Sequence, residues 1–156
     1  MKRIIIALVL VFSMSTFAQS TAKEDLDIIQ AKYGKSKKEL VGAYMSLSET
    51  QATAFWKTYD AYEVERKALG REKVRLIEDY AANFETMTDV KADEIVKGSL
   101  KNNMDFEKLL SKYYEKAKKD IGAINAAKFI QIEVSLQTAV RSEIQNLVPL
   151  IGEMEK

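Results

Sequence analysis

The chain has no cysteine and no histidine. The first absence excludes disulfides, so stability must come from packing alone. The second removes the commonest general base and the commonest metal ligand. With it go any Ser-His or Cys-His nucleophile pair and any HExxH zinc motif, and there is no glycine-rich phosphate loop. Enzymes can work with Glu, Lys or Tyr, but no constellation of these stands out. The sequence therefore predicts a non-enzymatic protein, with no catalytic residue, no metal and no cofactor. Proline occurs once, at Pro149, and the six glycines are scattered. No stretch alternates apolar and polar residues long enough to argue a strand. An all-α fold is expected.

Neither sign of charge dominates, and the only long apolar run is at the start. "MKRIIIALVLVFSMSTFA", residues 1–18, places Lys2 and Arg3 before an apolar stretch and ends on small and polar residues. This is the layout of a secretory signal peptide, with Thr16 and Ala18 at the −3 and −1 positions of cleavage. The run is short of the roughly 20 residues that a membrane span needs, so no integral membrane segment is expected after processing. No cysteine follows it, so a bacterial lipoprotein modification is not expected. Residues 19–156 are then a single exported domain of 138 residues with a net charge of −1, which is not the profile of a nucleic-acid binder.

Polar breaks divide that domain into four helical segments. The first runs from about Lys23 to Met45, with Gly34 as either a bend or a break. "LSETQ" at residues 47–51 then reads as a capping box. The Ser48 hydroxyl can accept from the amide of Gln51, whose side chain reaches back to the amide of Ser48. The second segment extends to about Met87, which makes a helix of about 57 Å. A compact domain of this size has a radius of gyration of only about 14 Å. The fold should therefore be elongated or cradle-like, or paired with a second copy along its length. Phe55, Tyr59, Tyr62, Arg66, Leu69, Lys73, Leu76 and Tyr80 form a heptad seam on this helix. Arg66 and Lys73 stand where apolar residues belong. They either lay their stems along a core and pair with carboxylates, or belong to a mixed apolar and cationic surface open to a partner.

Thr88 is the expected cap of the third segment, which runs to about Asp120. Its 4-3 seam is Ala92, Val96, Ser99, Asn103, Phe106, Leu110, Tyr113 and Ala117. Lys108, Lys112, Lys116 and Lys119 share one face, as residues of a solvated face do. The two long helices are expected to form a hairpin. Asn125 is the expected cap of the fourth segment, with Ile124 and Phe129 as a hydrophobic staple. Phe129, Ile132, Leu136, Val140 and Leu147 give that helix its apolar face. Glu133 or Glu143, flanking it, is a candidate partner for Arg66 or Arg75.

The two capped starts, Leu47-Ser48-Glu49-Thr50-Gln51 and Ile124-Asn125-Ala126-Ala127-Lys128, share an order of apolar residue, cap, two fillers and a long polar residue. Together with the signal peptide and the small helical chain, they resemble the Leu-Thr-x-x-Gln pattern of the Spy/CpxP family of bacterial periplasmic proteins. Ser48 replaces the family's Thr at the first motif, and the second keeps only the apolar and capping residues. The likeness in layout covers about residues 22–147.

The resemblance implies a small helical periplasmic protein, often a cradle-shaped homodimer. It also implies ATP-independent holding of unfolded or partly folded envelope proteins, or restraint of a membrane sensor protein. A zinc-linked branch of the family uses histidines, which this chain lacks. Holding by weak, adaptable contacts suits aromatic, methionine and long cationic side chains. The candidate partner-binding residues are Arg66, Leu69, Lys73, Met104, Phe106, Lys108 and Lys112, whereas Ser48, Gln51, Thr88 and Asn125 are structural caps. A helical bundle that encloses a small apolar ligand is the remaining alternative.

Overall fold

The computed structural model describes residues 28–29, 32–146, 148 and 151. The stretch 1–18 expected to be a signal peptide, the start of the first segment and Leu147 lie outside them. Among the described residues, Ile28, Ile29, Lys32 and Tyr33 are helical ahead of Gly34, and four whole helices follow in order: α1 Lys37–Met45, α2 Glu49–Asn83, α3 Asp89–Ile121 and α4 Ala123–Gln145, with one 3-10 turn at Phe84–Thr86 between α2 and α3. Among the described residues there is no strand, and no helix is long and apolar enough to cross a membrane. The fold is all-α, built on two long central helices packed as a hairpin.

Gly34 breaks the first segment rather than bending it. Its φ of +66° is a left-handed conformation that glycine adopts without steric cost. Ser36 then caps α1 with its own capping box to Glu39. The Ser48–Gln51 box is formed as the sequence predicts, and the Thr88 hydroxyl accepts from the Lys91 amide.

The expected cap at the last break is a correction. Gly122, with φ +81°, makes the turn alone, and α4 starts at Ala123. Asn125 therefore sits inside the first turn, where its amide donates to the Ile121 carbonyl at the end of α3. Ile124 is 79% exposed, so no staple to Phe129 forms. A single glycine turns the chain faster than a side-chain cap, which shifts the start of α4 ahead of Asn125.

The 35 residues of α2 span about 52 Å. Its register against α3 is antiparallel. Thr58 meets Asp120 at 2.6 Å, Glu65 meets Lys112 at 2.7 Å, Asn102 donates to the Leu69 carbonyl at 3.0 Å, and Lys91 meets Asp79 at 3.3 Å. At Gly98 the two helices come so close that a Cβ would lie 2.6 Å from Leu76 Cδ2.

All eight seam positions of α2 are buried or half-buried. The seam of α3 holds only in its second half, Phe106 to Ala117. In the first half Ile95 and Asn102 turn inward, and Val96 and Asn103 outward. A straight helix drifts about 20° per heptad from a 3.5-residue repeat, which moves the inward face toward the neighbouring residue.

The core sits at the end of the hairpin that α1 and α4 cover. Phe129 of α4 lies 5.4 Å from Phe55 and 5.3 Å from Tyr62 between ring centres, and Tyr62 lies 5.4 Å from Tyr113. Such edge-to-face contacts each add about 0.5–1.5 kcal/mol beyond their buried area. Val41 and Met45 of α1 are fully enclosed against this cluster.

Candidate partner-binding surface

The seven residues expected to bind a partner do not share one face. Arg66 and Phe106, 5% and 8% exposed, turn inward with the half-buried Lys73 and line a small cavity between the hairpin and α4. Leu69, Lys108 and Lys112 lie in a shallow open groove on the hairpin, with Glu65 and Asp105. Met104 lies outside both. Lys108 pairs with Asp105 at 3.1 Å and Lys112 with Glu65 at 2.7 Å, so the groove carries balanced charge. The hydrogen bonds from Lys112 and Tyr113 hold the Glu65 carboxyl below its ordinary range. Burial and the bond to Glu65 push the Tyr113 hydroxyl up to about 12.

Arg66 is part of a buried ionic centre. Its Nε donates to Glu63 Oε1 at 2.8 Å. Lys37 Nζ, on α1, lies 2.6 Å from Glu63 and 2.7 Å from Glu133. The Tyr62 hydroxyl donates to Glu133 at 2.8 Å, and Gln137 donates to the Tyr62 oxygen at 3.3 Å. Burial pushes the Glu63 carboxyl up, but Lys37 and Arg66 outweigh it and keep it below its ordinary value. Burial first, and then the charge of Glu133, raises the Tyr62 hydroxyl far above the ordinary range.

Arg75 pairs with Glu72 on its own helix, which corrects the partner expected for it, while Glu133 pairs with Lys37 and Glu143 with Lys32. Breaking a buried pair of this kind typically costs about 3–5 kcal/mol. The centre joins α1, α2 and α4, which makes it a structural clasp.

The exposed apolar surface lies elsewhere. Val96, Leu100 and Met104 are 51%, 57% and 55% exposed. At spacings of four they lie one above the other on α3. Beside them run two ion pairs along the helix, Asp93–Lys97 at 2.6 Å and Lys101–Asp105 at 2.7 Å. Arg141 of α4 reaches Asn103 at 3.4 Å, and α4 ends four residues later. The stretch of the hairpin from residues 70 to 105 is thinly packed and forms an arm, which the last turn of α4 meets at its near edge; among the described residues no other helix covers it, and the ridge lies along it.

Of the ridge, only Met104 was among the expected site residues. The seam places Val96 inside, and nothing in the sequence singles out Leu100. The spacing of four was visible in the sequence, but its facing depends on the drift of α3.

No family model, curated protein or solved structure matches this chain. The arrangement itself is therefore the guide to function. Among the described residues there is no cluster of acidic side chains able to hold a metal. The charged centre is enclosed in the core. The ridge offers about three apolar side chains to a partner, with charges of both signs alongside.

Proposed function

We propose that the protein is a non-enzymatic holding protein of the bacterial envelope, exported by residues 1–18, which binds unfolded or partly folded chains along the arm of α2 and α3. The observation that carries this reading is the Val96–Leu100–Met104 ridge. Scattered exposed apolar residues are normal, whereas a contiguous exposed patch marks an interaction surface. A flexible Met and branched aliphatic side chains suit loose contact with many sequences. The flanking Lys97 and Lys101 add charge without a fixed pattern for one partner. The resemblance to the Spy/CpxP family supports the same reading, and a homodimer like that family's would place a second arm beside the first.

The test uses two unrelated client proteins, one aggregated by heat and one by dilution from denaturant. Suppression of both at near-stoichiometric ratios is the expected result. Suppression of neither, with tight binding to a single envelope sensor, would replace holding by the regulatory reading. The N-terminus of the protein isolated from its own host should lie at or near Gln19, and a retained leader would overturn export by cleavage.

A further inference from the structure

The ion pairs that tie α1 to the rest of the chain all run one way, from a lysine of the segment to a carboxylate of the body. Lys37 pairs with Glu63 and Glu133, Lys38 with Asp60 at 2.8 Å, and Lys32, just ahead of Gly34, with Glu143 at 3.4 Å. Beneath α1 lie aromatic rings of α2. Lys37 Nζ is 5.7 Å and 5.4 Å from the ring centres of Tyr59 and Tyr62, and Lys38 Nζ is 5.0 Å from that of Trp56. A Cβ on Gly42 would lie 3.4 Å from Trp56 Cζ2. We infer that α1 is a cover released by acid, and that the aromatic face beneath it, from Trp56 to Tyr62, is a second surface for unfolded chains.

Charge balance drives the release. The buried centre sets two cations, Lys37 and Arg66, against two carboxylates, Glu63 and Glu133. Lys73 of α2 and Arg141 of α4 line the cavity beside it, to which α3 brings the uncharged Phe106. The hydroxyls of Tyr59 and Tyr62, raised far above their ordinary range by burial first, stay neutral. Protonating the carboxylates leaves Lys37 and Arg66 as like charges in one buried site, which is costly. Arg66 belongs to a helix of 35 residues and cannot leave alone, whereas Lys37 sits in the first turn of a helix of nine. Burial pushes the Glu63 carboxyl up, but Lys37 and Arg66 outweigh it and hold it low. Its contribution is therefore present above the ordinary carboxylate value and lost as pH falls through the lower folded one. Acid also reaches the cap of α1, because the Ser36 hydroxyl and amide hold the Glu39 carboxyl below its ordinary range.

The body does not depend on α1. The contacts of Phe55 and Tyr62 with Phe129, and of Tyr62 with Tyr113, join α2, α3 and α4 directly. α1 contributes Val41 and Met45 to the core, and left-handed residues stand on either side of it, Gly34 at φ +66° and Ser46 at φ +48°. A helix of this length is marginal in water by itself, so loss of its anchors opens it locally rather than with the whole domain. The rings that it leaves behind offer large apolar area with a polar edge, the chemistry of adaptable contact surfaces. That the guest is an unfolded chain rests on the holding reading; the release of α1 does not.

Hydrogen exchange and the emission of Trp56, the single tryptophan, test the release in the processed chain between about pH 7 and about pH 3. After correction for intrinsic exchange, the amides of residues 37–45 should open about a hundredfold more at the acid end, the equivalent of one broken buried pair. α3 and α4 should keep their protection while the Trp56 emission shifts to the red. Lys37→Met/Glu133→Leu, with an apolar pair in place of the ionic one, should keep α1 closed at the same pH. A chain whose ridge is replaced, Leu100→Ser/Met104→Ser, should suppress the aggregation of an acid-sensitive client at the acid end and not at neutral pH. Loss of protection in all the helices together would be plain acid unfolding and would overturn the inference. So would an α1 still protected at the acid end, or a Lys37→Met/Glu133→Leu chain that opens with the parent. Release without suppression by the ridge variant would overturn the second surface. A parent chain that suppresses aggregation only in acid would overturn the ridge reading and support this one.

Discussion

The two ends of the α2–α3 hairpin are built differently. At one end, α1 and α4 close over it, and Phe55, Tyr59, Tyr62, Tyr113 and Phe129 interlock around the Lys37–Glu133 pair. At the other, Leu76 and Ile95 are the only fully buried apolar side chains between residues 70 and 105, and Gly98 and Asn102 take inward positions that larger apolar residues would otherwise fill. The covered end spends its aromatic residues on internal contacts, and the arm leaves Val96, Leu100 and Met104 in solvent. On the proposed reading, the well-packed base carries the stability and the thinly packed arm supplies the binding surface.

Replacing a central aromatic should have the largest effect. Phe129→Ala removes the ring that joins α4 to α2 and should cost about 3–5 kcal/mol, read as a fall in the urea midpoint. No truncation of an exposed arm residue should come near it. Lys37→Met should follow closely. It leaves Glu133 buried without its cation, and removing one partner of a buried pair costs about 3–5 kcal/mol. A double variant Lys37→Met/Glu133→Leu should recover much of that loss, because a well-packed apolar pair in place of a buried ion pair is often neutral or stabilising.

Acid should also act at the covered end. The Glu63 carboxyl is held below its ordinary value of 4.5 by Lys37 and Arg66 against the opposing effect of burial. A depressed folded pKa contributes stability that is present above the unfolded value and lost as pH falls through the folded one. The urea midpoint should therefore drop as pH goes below about 4.5, and Glu63→Gln should flatten part of that drop.

On the arm, Gly98→Ala should cost about 1–3 kcal/mol, the usual range for overpacking. The new Cβ would meet Leu76 Cδ2 at 2.6 Å, and Leu76→Ala in the same chain should relieve the clash. The smallest expected effect is Ser48→Ala, which removes a cap worth about 0.5–2 kcal/mol and should leave holding activity per folded molecule unchanged.

The helices and most of their ends could be read from local signals. Ser48 with Gln51, and Thr88 ahead of Asp89, are caps whose partners lie within three residues. The seam of α2 was legible because its aromatics start it strongly. Two kinds of feature were not. Lys37 finds its carboxylates 26 and 96 residues away, a pairing that only the packing of three helices creates. The inward face of α3 shifts by one residue along its length, so Val96 and Asn103, which the seam places inside, face outward, and Ile95 and Asn102 take their places. Gly122 ended α3 by its backbone conformation, which outranked the side-chain cap that Asn125 offered.

The central claim is that the arm works while the base holds. It is tested most directly by one pair of variants in one assay: Leu100→Ser/Met104→Ser on the arm and Phe129→Leu at the base, each measured for suppression of aggregation per folded molecule. The account predicts that the arm variant keeps its urea midpoint within about 0.5 kcal/mol, as exposed substitutions do, and loses most of its suppression, while the base variant loses stability but holds clients as well as the parent chain when folded. Full suppression by the arm variant, under conditions where the parent chain protects both clients, would contradict it.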